Sequence, residues 1–338
     1  MIIAVDAAGG DYAPHEIVKG AVKAADEYGV KVVLVGKKKV LHVLAGRHLK
    51  KKAIRTVEAS QVIGPNESPI KAIRSKPNAS IVVGINLVKE GKADAFVSAG
   101  NTGAVLGAAL FGLGKVKGIE RPAIACIMDI TPSTPALLID AGANVECRPS
   151  HLVQFAEMGV IFSQHVLGIS EPRVGLLSNG AEETKGSQLV QESYKLLKKA
   201  KYLNFIGNIE GHDILRVVAD VVVTDGFTGN IVLKTIEGMS ETFLGSARQL
   251  GQVISNAYHF RGRDLLRDLG LGSWVNRIDY REYGGACLLG VNGNIIIAHG
   301  RSQAKTIKNA IGIARHMAAE NIAEVIKEEI HEQDSNSD

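Results

Sequence analysis

The amino-acid sequence predicts an α/β fold of three layers, in which helices cover both faces of a mostly parallel sheet. Short runs rich in β-branched residues alternate with longer amphipathic stretches, and successive strand–helix units of this kind build parallel sheets. The 338 residues suffice for one large core, and 46% hydrophobic with 22% charged residues is typical of a globular protein. We therefore expect one catalytic domain over residues 1–330 and an acidic, frayed tail over 331–338.

The predicted strands are short β-rich runs, and many of them end at small polar residues. In chain order the predicted strands are Ile2–Asp6, Lys31–Gly36, Ile54–Glu58, Ala95–Ala99, Ala123–Met128, Ala136–Asp140, Val174–Leu177, Asn204–Ile209, Val221–Thr224, Ala286–Val291 and Ile295–Ala298. Apolar residues spaced three and four apart predict helices over His15–Glu27, Ser80–Lys89, Thr102–Leu113, Ser150–Val166, Ser187–Lys199 and Ser302–Glu329.

A further helical pattern breaks this alternation and predicts a segment that projects from the body over about 230–280. Its apolar positions step by threes, fours and sevens, at Val232, Ile236, Met239, Phe243, Leu250 and Ile254. Leucines and Trp274 follow, interspersed with arginines. Dimer or core packing is one interpretation, and a lipid-touching tip at 258–275 is the other. Both hold if helices of a dimer carry the tip outward.

Composition argues against several classes of protein. The three cysteines, Cys126, Cys147 and Cys287, are odd in number and far apart, which argues against a disulfide framework or a zinc site and fits a reducing cytoplasm. A net charge of +4 is too small by itself for a nucleic-acid binder. No apolar run is long enough for a membrane span, and the N-terminus lacks the pattern of a signal peptide.

Lysines cluster at 37–39, at 50–52 and over 195–201. They are either solvated helix ends or a basic surface that attracts an acidic partner, and both interpretations stay open.

Six predicted strands end in turns that combine glycine with small polar residues, at 6–11, 98–103, 140–144, 178–180, 207–211 and 225–230. We expect these turns to gather along the carboxyl edge of the sheet, where parallel α/β folds bind ligands. Glycine lets backbone N–H groups approach an anion, and a following helix N-terminus favours negative charge. The candidate phosphate- or substrate-binding residues are Asp6, Gly9, Gly10, Ser98, Gly100, Asn101, Thr102, Gly103, Asn144, Gly180, Asp225, Thr228 and His299.

The motifs of common cofactor sites are absent from the sequence. There is no P-loop, no G-x-G-x-x-G after a strand, no G-x-S-x-G elbow and no H-E-x-x-H. No nucleotide, redox cofactor or metal is therefore indicated.

Lys185 and Asn230 are the candidate catalytic residues. Lys185 follows a strand end and precedes a predicted helix, where a lysine binds phosphate or is simply exposed. Asn230 follows a Thr-Gly pair, and it is either a helix N-cap or a donor to a thioester carbonyl. His299 is a candidate for proton transfer or a buried structural histidine.

An ordered series of motifs runs through these turns. It includes IAVDAAGGDYAP at 3–14, VSAGNTGA at 97–104, LIDAGAN at 138–144, LSNGAEETKG at 177–186 and VTDGFTGN at 223–230. The series resembles the PlsX family of acyl-acyl carrier protein:phosphate acyltransferases over essentially the whole chain up to the acidic tail. Ala8, His212, Cys287 and Arg301 depart from the residues usual in that family, and Lys185 and Asn230 are retained.

The resemblance implies a fold like that of the isocitrate and isopropylmalate dehydrogenases and of phosphate acetyltransferase. It implies transfer of a fatty acyl group from acyl carrier protein to inorganic phosphate without a cofactor, giving an acyl phosphate for phospholipid synthesis. It also implies a cytoplasmic homodimer in peripheral contact with the membrane. Lys185 and Asn230 match the positions thought to carry catalysis, and we expect Lys185, Gly180 and the turn at 100–103 to hold the phosphate.

Three alternatives stay open. The first is short-chain transfer from CoA to phosphate, which leaves the apolar, arginine-flanked tip unexplained. The second is a dehydrogenase on the same fold, for which the sequence shows no nucleotide determinant. The third is a non-catalytic scaffold that binds acyl carrier protein at the membrane.

Overall fold

The computed structural model describes residues 1–51, 53–128, 135–240, 242 and 284–335 of the chain. The strands in these ranges form one sheet of eleven. In chain order they are β1 Ile2–Asp6, β2 Lys31–Gly36, β3 Ile54–Glu58, β4 Ala95–Ser98, β5 Ala123–Met128, β6 Ala136–Ile139, β7 Val174–Leu177, β8 Phe205–Ile209, β9 Val221–Val223, β10 Ala286–Leu289 and β11 Asn294–Ile297.

The helices of the described residues alternate with these strands. They are α1 His15–Tyr28, α2 Lys38–Ala45, α3 Pro69–Ser75, α4 Ser80–Lys89, α5 Thr102–Gly112, α6 Pro149–His165, α7 Gln188–Lys199, α8 Gly211–Ile214, α9 over 226–240, α10 Ala304–Ala319 and α11 Ile322–Ser335. A 3₁₀ helix, Gly46–Lys51, follows α2.

The sheet consists of two parallel sets of strands that run in opposite directions. Its order is β3-β2-β1-β4-β11-β10-β5-β6-β9-β7-β8. The first five strands are parallel to one another, as are the last four. Between the sets, β10 is antiparallel to both neighbours and β5 is antiparallel to β6. Because of these three reversals, the last four strands run in the direction opposite to the first five.

A separate hydrophobic core lies on each face of the sheet, which makes the fold three-layered. Helices α1, α2, α6, α7, α10 and α11 contribute to one core, with Phe155 and Phe162 fully buried. Helices α3, α4, α5, α8 and α9 contribute to the other, around Phe96. Gly84 in α4 is required there, because a Cβ at that position would lie 2.1 Å from the Phe96 ring. The predicted fold class is confirmed.

All eleven predicted strands are present, and their ends differ from the predictions by no more than two residues. The helix predicted over Ser302–Glu329 is instead two helices, because the chain turns at Asn321 with a φ of 50°. The short helices α3 and α8 are not among the predicted helices. Helix α11 continues to Ser335, so the predicted acidic tail is helical over its first residues, and residues 336–338 lie outside the described part.

The expectation that the six glycine turns share one edge of the sheet is wrong. The carboxyl ends of β1, β4 and β11 lie at one edge, whereas those of β6, β7, β8 and β9 lie at the opposite edge. The alternation of strands and helices in the sequence does not reveal strand direction. It therefore does not predict the reversals that separate the two groups of turns. We call these the β1–β4 edge and the β6–β9 edge.

Helix α9 connects the two edges. It begins at the β6–β9 edge and packs Val232, Leu233 and Ile236 against the core around Phe96. Eleven residues of helix rise about 16 Å, which brings Glu237 to His299 at the β1–β4 edge, 3.9 Å away.

The rest of the projecting segment, including the predicted membrane tip at 258–275, lies outside the described residues. Among the helices that are described, none has the length and hydropathy needed to span a bilayer.

Candidate active site

Asp140 organises the turn that follows β6. Its carboxylate is fully buried and accepts hydrogen bonds from the backbone N–H groups of Ile124, Gly142 and Ala143 at one oxygen, at 2.9–3.1 Å. The other oxygen accepts the backbone and side-chain N–H groups of Asn144 at 2.7 and 2.9 Å. Burial raises the pKa of the Asp140 carboxyl, and these donors act against that shift. The turn is therefore built around one buried acid.

Asn144 joins this turn to its neighbours. Its side-chain amide donates to Asp140 and to the carbonyl of Pro122, so both amide hydrogens are committed within the protein. Its backbone carbonyl accepts the N–H of Gly226, the first residue of α9, at 2.7 Å. This arrangement fixes the start of α9 against the turn.

Asp225 is the N-cap of α9. Its carboxylate accepts the Thr228 backbone N–H at 2.9 Å and the Thr228 hydroxyl at 2.8 Å, so the two side chains cap the helix together. The N-cap interpretation of Asn230 is therefore wrong, since Asn230 lies in the second turn of the helix. Its side chain lies beside Gly142, where a Cβ would come within 3.7 Å of the Asn230 amide.

Lys185 lies in the turn between β7 and α7. The Gly186 N–H donates to the Asn179 side chain at 2.8 Å, and the Lys185 N–H donates to the Glu182 carbonyl at 3.0 Å. Gly180 packs against the lysine, because a Cβ there would lie 2.7 Å from Lys185 Cγ. These contacts fix the base of the side chain, and the side chain itself is exposed.

Lys185 and Asn230 lie at the same edge of the sheet. Their turns follow β7 and β9, which are adjacent parallel strands. Within the described residues, neither the Lys185 ammonium nor the Asn230 amide has a hydrogen-bond or ion-pair partner. A cation and an amide donor on adjacent turns suit a phosphate and a carbonyl oxygen bound at the same edge.

Asp6 joins two turns at the opposite edge. Its buried carboxylate accepts the N–H groups of Ala8 and Gly9 at 3.0 Å and the hydroxyl of Ser98 at 2.7 Å. A Cβ on Gly9 would lie 2.4 Å from this carboxylate and 2.8 Å from Gly100 Cα, so the close approach requires glycine. Burial raises the pKa of the Asp6 carboxyl. These contacts lie within the protein and hold the turns after β1 and β4 together.

Asn101 is the N-cap of α5. Its side-chain oxygen accepts a backbone N–H in the first turn of the helix at 3.0 Å. Its amide donates to the carbonyls of Gly64 and Pro65. The oxygen and the amide group of the Asn101 side chain are therefore both hydrogen-bonded within the protein. Thr102 and Gly103 are the first two residues of α5.

His299 follows β11 at this same edge. Its Nδ1 accepts the Arg301 N–H at 3.1 Å, and its Nε2 faces the Glu237 carboxylate of α9 at 3.9 Å. Nearby, Gly10 has a φ of 103° and lies against the Gly300 carbonyl. His299 is partly exposed, so the alternative of a buried structural histidine does not describe it.

The structure thus divides the predicted site residues between the two edges. Asn144, Gly180, Lys185, Asp225, Thr228 and Asn230 are at the β6–β9 edge, and Asp6, Gly9, Gly10, Ser98, Gly100, Asn101, Thr102, Gly103 and His299 are at the β1–β4 edge. Six strand spacings separate β4 from β7, about 29 Å across the sheet. The turn at 100–103 and Lys185 are therefore not brought together within one chain.

None of the three cysteines offers a nucleophile. Burial raises the pKa of the Cys126 thiol to about 12 and that of Cys147 to about 11. Burial also raises the pKa of Cys287. Thiolates are scarce at neutral pH under these conditions, which agrees with a direct displacement by another nucleophile.

Asp140 is the residue of the site that sequence reasoning missed. The motif Asp140-Ala141-Gly142-Ala143-Asn144 predicts a polar turn, and Asn144 is the only candidate site residue that the sequence analysis names in it. An acid directly after a four-residue buried strand, followed by small residues, was the available signal.

Solved structures of other proteins share this fold. A phosphotransacetylase from Streptococcus pyogenes has a TM-score of 0.63 at 16% identity, with 95% of this chain and 94% of that chain covered. A 4-hydroxythreonine-4-phosphate dehydrogenase from Klebsiella pneumoniae has a TM-score of 0.53 at 14% identity, covering 94% and 99%. The chain therefore has the α/β fold that these enzymes share.

The family follows from the sequence comparisons. The family model described as "Fatty acid synthesis protein" matches residues 1–325. A phosphate acyltransferase from Dehalococcoides mccartyi is 59% identical over 330 residues, which is 98% of this chain and 94% of the relative. The chain belongs to this family, the PlsX family, and it is an acyltransferase.

Proposed function

We propose that the protein transfers a long-chain fatty acyl group from acyl carrier protein to inorganic phosphate and so supplies acyl phosphate for phospholipid synthesis. The observation that carries the proposal is a pair of groups at the β6–β9 edge, Lys185 and Asn230, that have no partner among the described residues. A compact ammonium suits a phosphate dianion, and an amide N–H suits the oxygen of a thioester carbonyl.

The reaction we propose is a direct displacement. A phosphate oxygen held by Lys185 attacks the thioester carbon, and Asn230 donates a hydrogen bond to the carbonyl oxygen as negative charge develops there. The new C–O bond forms, the C–S bond breaks, and the proton of hydrogen phosphate passes to the leaving thiolate. The products are the acyl phosphate dianion and the free thiol of the carrier, so no cofactor or enzyme-bound acyl group is needed. Catalysis consists of positioning and charge stabilisation.

Substitution of Lys185 tests this assignment. We expect Lys185→Ala to lower kcat/KM for acyl phosphate formation by about 100- to 1000-fold, as for loss of a preorganised electrostatic contact. Lys195→Ala is the matched control, since Lys195 is an exposed lysine of the adjoining helix α7. The assay traps acyl phosphate with hydroxylamine, with acyl-acyl carrier protein and acetyl-CoA as alternative donors. Turnover near the wild-type rate in Lys185→Ala would refute the site, and a preference for acetyl-CoA would refute the long-chain donor.

We also propose that the protein is a cytoplasmic homodimer in peripheral contact with the membrane through residues 258–275. The support is an exposed apolar stripe on α9, where Phe227, Ile231 and Met239 are 58%, 51% and 60% exposed at helical spacing. A stripe of this kind on a surface helix is typical of an interface.

Charge placed on that stripe separates the two parts of this proposal. We expect Ile231→Glu to be monomeric by light scattering, whereas Val43→Glu, an apolar residue 80% exposed on α2, stays dimeric. Fluorescence of the single tryptophan, Trp274, reports contact with anionic vesicles. We expect weaker vesicle binding by the monomer, because a dimer carries two tips. An unchanged mass for Ile231→Glu contradicts the interface, and no fluorescence change for the wild type contradicts the membrane contact.

A further inference from the structure

A basic cavity lies next to the turn organised by Asp140. Its volume is about 700 Å³, and its walls include Lys115, Arg121, Pro122, Arg148 and His151. Pro122 directly precedes β5, and Arg148 directly precedes α6, so the cavity opens at the β6–β9 edge. The Pro122 carbonyl accepts the Asn144 side chain at 2.8 Å, which makes one wall of the cavity continuous with the candidate active site.

The charges of the cavity favour an anion. Neither Arg121 nor Arg148 has a carboxylate partner in the part of the chain described, and both are exposed. Lys115 adds a third cation, which donates to a backbone carbonyl at 2.9 Å. Two carboxylates, Glu120 and Glu146, also line the cavity. Glu120 accepts a hydrogen bond from a histidine at 3.1 Å, and three cations against two carboxylates leave one positive charge in excess.

Two further features strengthen this preference. The 17-residue helix α6 begins at Pro149, so its N-terminus carries partial positive charge at the cavity wall. His151 is buried and joins the two walls, since its Nδ1 accepts the Arg148 N–H and its Nε2 contacts Glu120, each at 3.1 Å. Paired guanidinium groups on a fixed frame suit a phosphate ester, which offers several acceptor oxygens.

The position of the cavity identifies the ligand. Along the β6–β9 edge the strands follow in the order β5, β6, β9 and β7. The three strand spacings between β5 and β7 add up to about 14 Å. The cavity is at β5 and β6, Asn230 is over β6 and β9, and Lys185 is at β7. An acyl donor whose flexible arm carries a phosphate ester at one end and a thioester at the other would lie along this row.

We infer that Arg121 and Arg148 bind the phosphate ester of the donor's phosphopantetheine arm, so that the thioester reaches Asn230. The inference rests on the proposed function and assigns the donor's binding determinant. Lys185 and the inorganic phosphate then occupy the far end of the row. Arg121 and Arg148 therefore set donor affinity, and they leave the affinity for inorganic phosphate unchanged.

Truncated donors test the inference. The probes are an acyl-phosphopantetheine and the matching acyl-pantetheine, which lacks the phosphate. For the wild type we expect kcat/KM to be about 10- to 100-fold higher with the phosphorylated donor, as for charge-assisted hydrogen bonds. In Arg121→Gln/Arg148→Gln this preference disappears, and both the rate with acyl-pantetheine and the KM for inorganic phosphate stay at wild-type values. Lys117→Gln is the control, since it removes an exposed cation near the cavity without lining it.

Binding measurements separate this inference from the proposed function. Calorimetry with phosphopantetheine and pantetheine measures binding to the cavity without turnover. Thermal melts verify that each variant is folded. If the double variant and the wild type discriminate equally between the two ligands, the cavity assignment is overturned. If the wild type discriminates in binding but forms no acyl phosphate from any donor, the proposed reaction fails and the cavity assignment stands.

Discussion

Replacing Asp140 by asparagine tests whether one buried carboxylate holds the candidate active site in place. Five N–H groups donate to the two carboxylate oxygens, three to one and two to the other. An asparagine must place its own NH₂ group at one of these oxygen positions, so at least two N–H donors lose their acceptor. Each unsatisfied buried donor costs about 1–3 kcal/mol. The expected loss in free energy of unfolding is therefore about 2–6 kcal/mol.

The same substitution should lower activity, because the turn also positions α9 through the bond from Gly226 to the Asn144 carbonyl. Urea unfolding followed by circular dichroism measures the stability, and the hydroxylamine assay measures kcat. Asp225→Asn is the matched control, since asparagine caps a helix about as well as aspartate and the change should be small. If Asp140→Asn loses less than about 1 kcal/mol, or no more than Asp225→Asn, the carboxylate does not organise the turn.

Two more predictions concern neighbouring residues. Burial lowers the pKa of His151, so the unfolded chain binds a proton more readily, and stability should fall as the pH drops below about 6.5. His151→Asn keeps an acceptor for the Arg148 N–H and should flatten that part of a pH–melting curve, whereas an unchanged curve would show that His151 does not cause the loss. Gly180→Ala should raise the KM for phosphate with little loss of stability. The new methyl group would lie 2.7 Å from Lys185 Cγ, so the lysine side chain must move away from it. An unchanged KM would contradict this packing.

The strands were predictable because local chemistry marks their ends. Each run stops at a small or polar residue, and eleven such runs correspond to eleven strands. Strand direction is a different matter, since it depends on pairing between distant residues. Leu288 pairs with Ile124 in antiparallel register, and no local pattern near either residue contains that information. The division of the turns between two edges follows from such pairs.

The site was only partly accessible from sequence. Turn position and side-chain chemistry indicate Lys185 and Asn230 as candidates for phosphate binding and for donation to a thioester carbonyl, and the family resemblance adds acyl carrier protein as the donor. The helix start was placed wrongly, because Asp225 and Asn230 are both good N-cap residues and the backbone geometry selects Asp225. The cavity at Arg121 and Arg148 joins segments that are 27 positions apart in the chain, so neither arginine had a recognisable signal by itself.

The central position of β10 and β11 has a consequence for how the chain folds during synthesis. These strands are the last in the sequence, yet β11 pairs with β4 and β10 pairs with β5. Until residues 284–297 leave the ribosome, the two halves of the sheet have no strand to join them, and each ends in an unprotected edge. The join must then form between segments about 200 residues apart, a slow step in which the exposed edges favour aggregation.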